Sequence, residues 1–284
     1  MLVAGFGITR MMDACLGERR ANATVTFGGC AVLHQGGCSR LLLRYDYGML
    51  TYHPAKPVFS VVLAGLVLAP LPAFADALQQ QIVAGAREVT AEDFAFTQTS
   101  INERTGKGAK EYILAFDPKR PKEARWTLVR VEGRAPTAKE QAGLAKRAGK
   151  GRVPSYADIA KWFGGPATRV SGGKASATYR FASLPAGTIK LGSHDASADT
   201  AAEAVVNTSG ALPFVERVRF TSNRPFRMMM VAKVEQMDMS VTYGLMANNR
   251  PAVVGNTVSM SGSLMGKAGA FKSRTGFSNI WPVR

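Results

Sequence analysis

Few side chains in this sequence are suited to nucleophilic or general acid–base catalysis. Beyond residue 75 the chain contains a single histidine, His194, and no cysteine. A Ser-His-Asp arrangement would have to use His194 with the adjacent Asp195, and no G-x-S-x-G turn is present to expose a serine. Ser171–Lys174 has the S-x-x-K spacing, but it runs through a Gly-Gly turn instead of a helix start. We therefore predict that the protein is not an enzyme, and a hydrolase would have to depend on His194.

Cofactor and metal motifs are also missing from the sequence pattern. Ala175 follows Gly173-Lys174 where a phosphate-binding loop needs serine or threonine, and no G-x-G-x-x-G follows a predicted strand. The carboxylates are scattered without ligand spacing. We predict no metal and no cofactor.

Methionines are the residue type that is concentrated in the last third of the chain. Methionine is flexible and polarizable, and surfaces that accept variable apolar ligands use it heavily. A pocket for acyl chains would suit this composition, and ordinary filling of one sheet face is the alternative. The cluster consists of Met228, Met229, Met230, Met237, Met239, Met246, Met260 and Met265.

Alternating apolar and polar residues predict that strands position these side chains. Met237, Met239, Val241 and Tyr243 fall on one face of a strand, with polar residues between them. Further strands are predicted at about 93–101, 110–116, 125–131, 167–170, 176–181 and 187–191, and four or five more follow Phe214. Residues 194–200 are predicted to be a loop, 204–207 are left undecided between strand and helix, and 266–269 are predicted to be a turn.

Two helical segments interrupt the strands. Apolar residues at helical spacing predict a helix at about 76–89, with Asp76 as its N-cap. Thr137 and Glu140 have the spacing of a capping box, which predicts a helical insertion at about 137–163. The insertion is strongly basic between Lys139 and Arg152. It is predicted either to meet an anionic surface or to form a solvated, mobile face.

Together these elements predict an α+β protein that is mostly β. Nine to eleven short strands with brief connections favour a large antiparallel sheet, which would curl into a half-barrel. The helix near residue 76 is expected to pack across its concave face. Residues 76–284 are expected to form one domain.

The stretch Lys56–Ala75 has the features of a secretory signal peptide. A basic residue precedes about 14 apolar residues, which is shorter than the roughly 20 needed for a membrane span, and Ala73-Phe74-Ala75 matches an A-x-A cleavage site. We predict cleavage between Ala75 and Asp76, a signal peptide over 49–75, and a periplasmic product that does not span the membrane. Residues 1–48, which hold all three cysteines, are interpreted as a misassigned upstream extension that is disordered, with a genuine metal or redox extension as the alternative.

The formal net charge of +16 favours anionic partners such as an envelope surface. Because the charges are scattered without aromatic–basic interleaving, we predict no nucleic-acid partner.

Part of the sequence resembles the lipoprotein-carrier superfamily of the Gram-negative envelope, represented by LolA and LolB. The resemblance lies in Phe96-Thr97-Gln98-Thr99, Arg120-Pro121 and Trp126, with a predicted helix ahead of them. It implies a half-barrel whose apolar cavity takes acyl chains, and it implies a cavity role for Arg120. Asp117-Pro118-Lys119, however, makes the segment around Arg120 look like a loop, which departs from the family pattern.

The resulting functional prediction is a non-enzymatic carrier or binding protein for a lipid-like or acylated ligand. Arg120 is the candidate for the ligand head group. The alternative is an envelope interaction protein with a packed core and no small ligand. The candidate apolar walls are Phe94, Phe96, Trp126, Met237 and Met239.

Overall fold

Strands account for most of the computed structural model, which describes residues 76–148, 153–192, 194–228 and 232–283. The predicted upstream extension and signal peptide lie outside the described residues. The α-helices are α1 (Ala77–Arg87) and α2 (Ala138–Ala148), and short 3₁₀ turns cover Lys122–Ala124, Tyr156–Lys161 and Ser197–Asp199. The strands are β1 (Phe94–Arg104), β2 (Lys107–Phe116), β3 (Trp126–Val131), β4 (Thr168–Gly172), β5 (Ser176–Phe181), β6 (Lys190–Leu191), β7 (His194–Asp195), β8 (Thr200–Asn207), β9 (Phe214–Ser222), β10 (Phe226–Met228), β11 (Ala232–Leu245), β12 (Pro251–Leu264) and β13 (Lys267–Pro282).

Eleven of the strands form one antiparallel sheet in the order β3-β2-β1-β13-β12-β11-β9-β8-β5-β4, with β10 added to β11. The first strand pairs with the last, so the β1–β3 meander joins the β11–β13 meander directly. Strands β3 and β4 are the two ends of this order, and the sheet is not closed. This confirms the prediction of a mostly β protein with a large antiparallel sheet.

One face of the sheet is buried along its central strands. On β11, Met237, Met239, Val241 and Tyr243 are buried, whereas the residues between them are half-buried. This follows from the strand period of two, which sends successive side chains to opposite faces. We call the side that carries these four residues the inner face, and the other side the outer face.

Helix α1 is held to the rest of the fold at its N-terminus. The Asp76 carboxylate accepts from the Gln79 backbone N–H at 2.8 Å, and the Gln79 side chain accepts from the Asp76 N–H at 3.2 Å. The same Asp76 carboxylate accepts from the Tyr179 hydroxyl at 2.7 Å, which links the helix cap to β5. The buried stripe of α1 includes Ile82 and Ala86. None of the helices in the described residues is both long and apolar enough to cross a membrane.

Helix α2 begins with the capping box that the sequence predicts. Glu140 accepts from the Thr137 backbone N–H at 2.7 Å, and the Thr137 hydroxyl accepts from the Glu140 N–H at 3.3 Å. Hydrogen bonds from the Arg134 guanidinium and from Thr137 lower the pKa of Glu140 to about 2. Leu144 is buried, and the Gln141 amide donates to the Leu128 carbonyl at 2.9 Å, so α2 packs on β3.

Several boundaries differ from the sequence prediction because local turns take precedence. The strand predicted at 187–191 is reduced to Lys190–Leu191, since Gly187 has φ +81° and Thr188 donates its N–H to Pro185 in a turn. The predicted loop at 194–200 contains β7 and a 3₁₀ turn, and the undecided residues 204–207 belong to β8.

The last hairpin turns earlier than predicted. Its two loop residues are Met265 and Gly266, both with positive φ, and Leu264 pairs with Lys267. Two residues with positive φ match the twist of the flanking strands, so the ladder resumes at Lys267 inside the predicted turn 266–269.

Candidate functional site

A cluster of aromatic side chains lies on the inner face at the β3-β2-β1-β13 end of the sheet. The Phe96 ring stacks on Phe116 with centroids 5.0 Å apart and makes edge contacts with Trp126 at 5.7 Å and Phe277 at 5.3 Å. Phe94 is buried two residues before Phe96 on β1 and shares its face. Three of the predicted apolar residues, Phe94, Phe96 and Trp126, are therefore brought to one region.

The other two predicted wall residues lie on the same face but three strands away from β1. Met237 pairs with Met260, and Met239 pairs with Val258, in the β11–β12 ladder. Met237 and Met239 are only 2% and 3% exposed. These side chains fill the inner face and are not open to solvent.

A segment after helix α2 covers the space between the two groups. We call Pro154–Phe163 the covering segment. Its 3₁₀ turn begins at Ser155, whose hydroxyl accepts from the Ala157 N–H at 3.2 Å. The Tyr156 hydroxyl accepts from the Val215 N–H at 2.9 Å, and the Tyr156 ring packs edge-on against Tyr243 at 5.2 Å. Burial raises the pKa of Tyr156, so its hydroxyl stays neutral in this contact.

The covering segment ends in a second aromatic cluster. Trp162, which is 1% exposed, makes edge contacts with Phe181 at 5.1 Å and Phe220 at 5.5 Å. Phe163 is fully buried beside Tyr179, and the Gln79 amide of α1 donates to the Phe163 carbonyl at 2.8 Å. Sequence reasoning predicted a short helix here and missed its core role. Two adjacent aromatic residues before Gly164-Gly165-Pro166 were the available signal.

Two small voids lie under the covering segment. One is bordered by Phe94, Phe96 and Phe277, and the other by Met239, Val241 and Val258. Each has a volume of about 20 Å³, which is room for one water molecule. Both voids are bounded by the same three residues, Pro154, Ser155 and Val253.

A row of buried, hydrogen-bonded polar side chains borders the aromatic cluster. The sequence pattern did not predict this row. The Gln98 amide donates to the Ser100 hydroxyl at 2.9 Å, and that hydroxyl lies 3.1 Å from the Thr275 hydroxyl. Gln98 pairs with Phe277 across β1 and β13, which puts the row directly beside the aromatic residues. Hydroxyl groups can donate as well as accept hydrogen bonds, so this row of side chains can bind an uncharged polar group.

The structure does not bring Arg120 to this region. Arg120 lies in the loop between β2 and β3, is exposed, and donates from Nη1 to the Thr127 hydroxyl at 2.8 Å. Thr127 follows Trp126 on β3 and therefore points to the opposite face of the sheet. The guanidinium consequently sits on the outer side, away from the aromatic rings.

The residues around His194 do not form a catalytic relay in this structure. The His194 ring stacks on Phe226 at 5.1 Å, and its buried Nε2 has no hydrogen-bond partner among the described residues. The nearby Ser197 hydroxyl donates directly to Asp195 at 2.5 Å and accepts from the Ile189 N–H at 2.9 Å. Ser197 is also only 1% exposed, so its hydroxyl stabilises the loop and is not accessible to a substrate. Within the described residues, no three His, Cys, Asp or Glu side chains are grouped for a metal ion.

The inner face thus offers apolar walls, an adjacent row of uncharged polar side chains and two voids under one covering segment. No family model, curated protein or solved structure matches this chain, so its assignment rests on these residues alone.

Proposed function

We propose that the protein is an exported periplasmic carrier for a lipid-like or acylated ligand, which binds between the inner face and the covering segment. The observation that supports this proposal is the common boundary of the two voids. The predicted wall residues Phe94 and Phe96 border one void and Met239 borders the other, and Pro154-Ser155 lies over both. A shift of that dipeptide would join them into one channel.

Ligand entry requires this shift because each void holds about one water molecule. The covering segment is held near its start by the bond from the Val215 N–H to the Tyr156 hydroxyl, a contact that contributes about 1 kcal/mol. Each buried methylene of an acyl chain contributes about 0.8 kcal/mol. A few methylenes therefore offset the loss of the contact, and flexible Met239 can repack around the chain.

The polar end of the ligand would lie beside Gln98, Ser100 and Thr275. Because these three side chains carry no charge, they favour an ester, amide or hydroxyl group of the ligand over an ionic group. The predicted head-group role of Arg120 is the competing proposal, in which the head reaches the exposed β2–β3 loop instead.

Replacing Val253 with phenylalanine tests the inner-face site. Val253 is buried on β12, pairs with inward-facing Tyr243 and borders both voids, so the larger side chain of phenylalanine would occupy the space between them. We expect the variant to bind a fluorescent fatty-acid analogue at least tenfold more weakly than the wild-type chain. The measurement is a fluorescence titration of both full-length proteins.

The matched control is Val254→Phe, since Val254 is the next residue on β12, is half-buried and points to the outer face, where a Cβ atom at Gly244 would contact it. Thermal unfolding checks that both variants are folded, because overfilling a core can cost about 1–3 kcal/mol. Equal affinity in folded wild-type and Val253→Phe proteins would exclude this location for the ligand.

One observation favours the alternative of an envelope interaction protein with a packed core. Met237 and Met239 are almost fully buried, so the inner face is already filled without a ligand. If the wild-type chain does not bind the fatty-acid analogue at all, this alternative is the better account.

A further inference from the structure

The outer face carries a pocket of about 400 Å³ over the four central strands β1, β13, β12 and β11. Two neighbouring cross-strand rows form it. The first row runs Thr99–Gly276–Gly255–Thr242, and the second runs Ile101–Arg274–Thr257–Ser240. We call this the glycine-floored pocket, because the paired glycines lie in the middle of the first row.

A positive φ angle does not explain these two glycines, although Gly255 adjoins the register shift opposite Thr242 and Tyr243. Glycine weakens a strand interior, and it often marks a place where a ligand approaches the backbone. Neither Gly255 nor Gly276 has positive φ. A Cβ atom at Gly276 would meet nothing within 4 Å, and one at Gly255 would make an ordinary contact of 3.5 Å with the Thr275 carbonyl. The neighbouring atoms therefore leave room for side chains that the sequence does not provide.

One arginine lies within the pocket lining and a second lies at the pocket edge. Arg274 lines the pocket on β13, and Arg217 on β9 pairs with Thr242 at its edge. Some other arginines of the outer face are paired, as Arg219 is with Asp238. Arg217 and Arg274 have no ion-pair partner among the described residues.

The spacing allows both arginines to approach one ligand. They are three strands apart, or roughly 14 Å between Cα atoms at the usual strand spacing, and an extended arginine can reach inward from each side. Between them lie the hydroxyls of Ser240, Thr242 and Thr257, and the Thr99 hydroxyl lies on β1, on the other side of Arg274; all of these can donate and accept hydrogen bonds. Guanidinium groups bind phosphate and carboxylate through paired hydrogen bonds.

We propose that the glycine-floored pocket binds a sugar that carries a phosphate or carboxylate group. The apolar C–H face of the sugar ring would lie on Gly255 and Gly276, its hydroxyls would contact the threonines and Ser240, and its anionic group would bind Arg274 or Arg217. This site is on the opposite face from the proposed acyl site and is independent of it.

Calorimetric titration of the full-length protein tests the proposal with four probes: glucose 6-phosphate, glucuronate, glucose and inorganic phosphate. At least one of the two anionic sugars should bind tenfold or more tightly than both glucose and phosphate. Which of them binds tighter identifies the anionic group. Equal weak binding of all anions, or no binding of any probe, would overturn the proposal.

Gly276→Val is the decisive variant, because an added Cβ atom there meets nothing within 4 Å and the side chain would project from the pocket floor. We expect this variant to unfold at no lower temperature than wild type, since valine favours strands. We also expect its affinity for the anionic sugar to fall at least tenfold. The matched control is Gly269→Val on the same strand, where a Cβ atom also meets nothing within 4 Å. Equal losses in both variants, or none in Gly276→Val, would contradict the site.

Discussion

Replacing Trp162 with alanine should lower the free energy of unfolding by about 3–5 kcal/mol, the usual cost of removing a large buried aromatic side chain. Trp162 is 1% exposed and contacts Phe163, Phe181 and Phe220 in edge geometry. Its Nε1 has no hydrogen-bond partner in the described residues, so the loss reflects packing alone. Urea denaturation followed by circular dichroism measures the change.

Trp281→Ala is the matched control for this substitution. Trp281 is 67% exposed near the end of β13, so the same truncation there should change stability by less than about 1 kcal/mol. A small effect at Trp162, comparable to that at Trp281, would show that the covering segment is not part of the folded core.

The substitution Gly262→Ala should be nearly as damaging, with a loss of about 3 kcal/mol at the upper end of the range for overpacking. A Cβ atom at Gly262 would overlap the backbone carbonyl oxygen of Lys233 on the neighbouring strand β11. Backbone cannot rotate aside as a side chain does. The β11–β12 ladder would have to separate next to the bulge between Val234 and Gln236.

Gly276→Ala is the corresponding control, because it makes the same change on the adjacent strand β13 where the added Cβ meets no atom within 4 Å. In thermal unfolding, this control should unfold at the wild-type temperature or above it, and Gly262→Ala should unfold at a much lower temperature. If the two alanine variants unfold together, the close approach of β11 to β12 at Gly262 is incorrect.

The local pattern of the sequence was sufficient to predict the sheet. Strict alternation at Met237–Tyr243 predicted both the strand and its buried face, because burial on one side of a strand requires a period of two. The capping box at Thr137 and Glu140 was predictable for the same reason, since it depends on residues three positions apart.

Long-range register was not predictable from such patterns. The pairing of β1 with β13 joins residues far apart in sequence, and it is this pairing that brings Phe277 to Phe96 and Thr275 to Ser100. The paired glycines Gly255 and Gly276 likewise become a pocket floor only through cross-strand register. Single glycines in a sequence do not show that relation.

The covering segment and Arg120 show two further limits of structure prediction from the sequence pattern. Trp162 and Phe163 sit in a short 3₁₀-turn segment that lacks a sustained period, so burial there depends on the tertiary fold. Arg120 was assigned to a cavity by family resemblance. Its position in the β2–β3 loop instead follows from Asp117, which accepts from the Lys119 N–H and begins a turn.

Mass spectrometry of organic extracts is the most direct test of the proposed acyl site. The purified wild-type chain and its Val253→Phe variant should be extracted in parallel, so that lipid bound by any segment outside the inner face is common to both. We predict a stoichiometric lipid-like species in the wild-type extract that is strongly depleted in the variant extract. Equal amounts in both, or no lipid in either, would contradict a ligand site on the inner face.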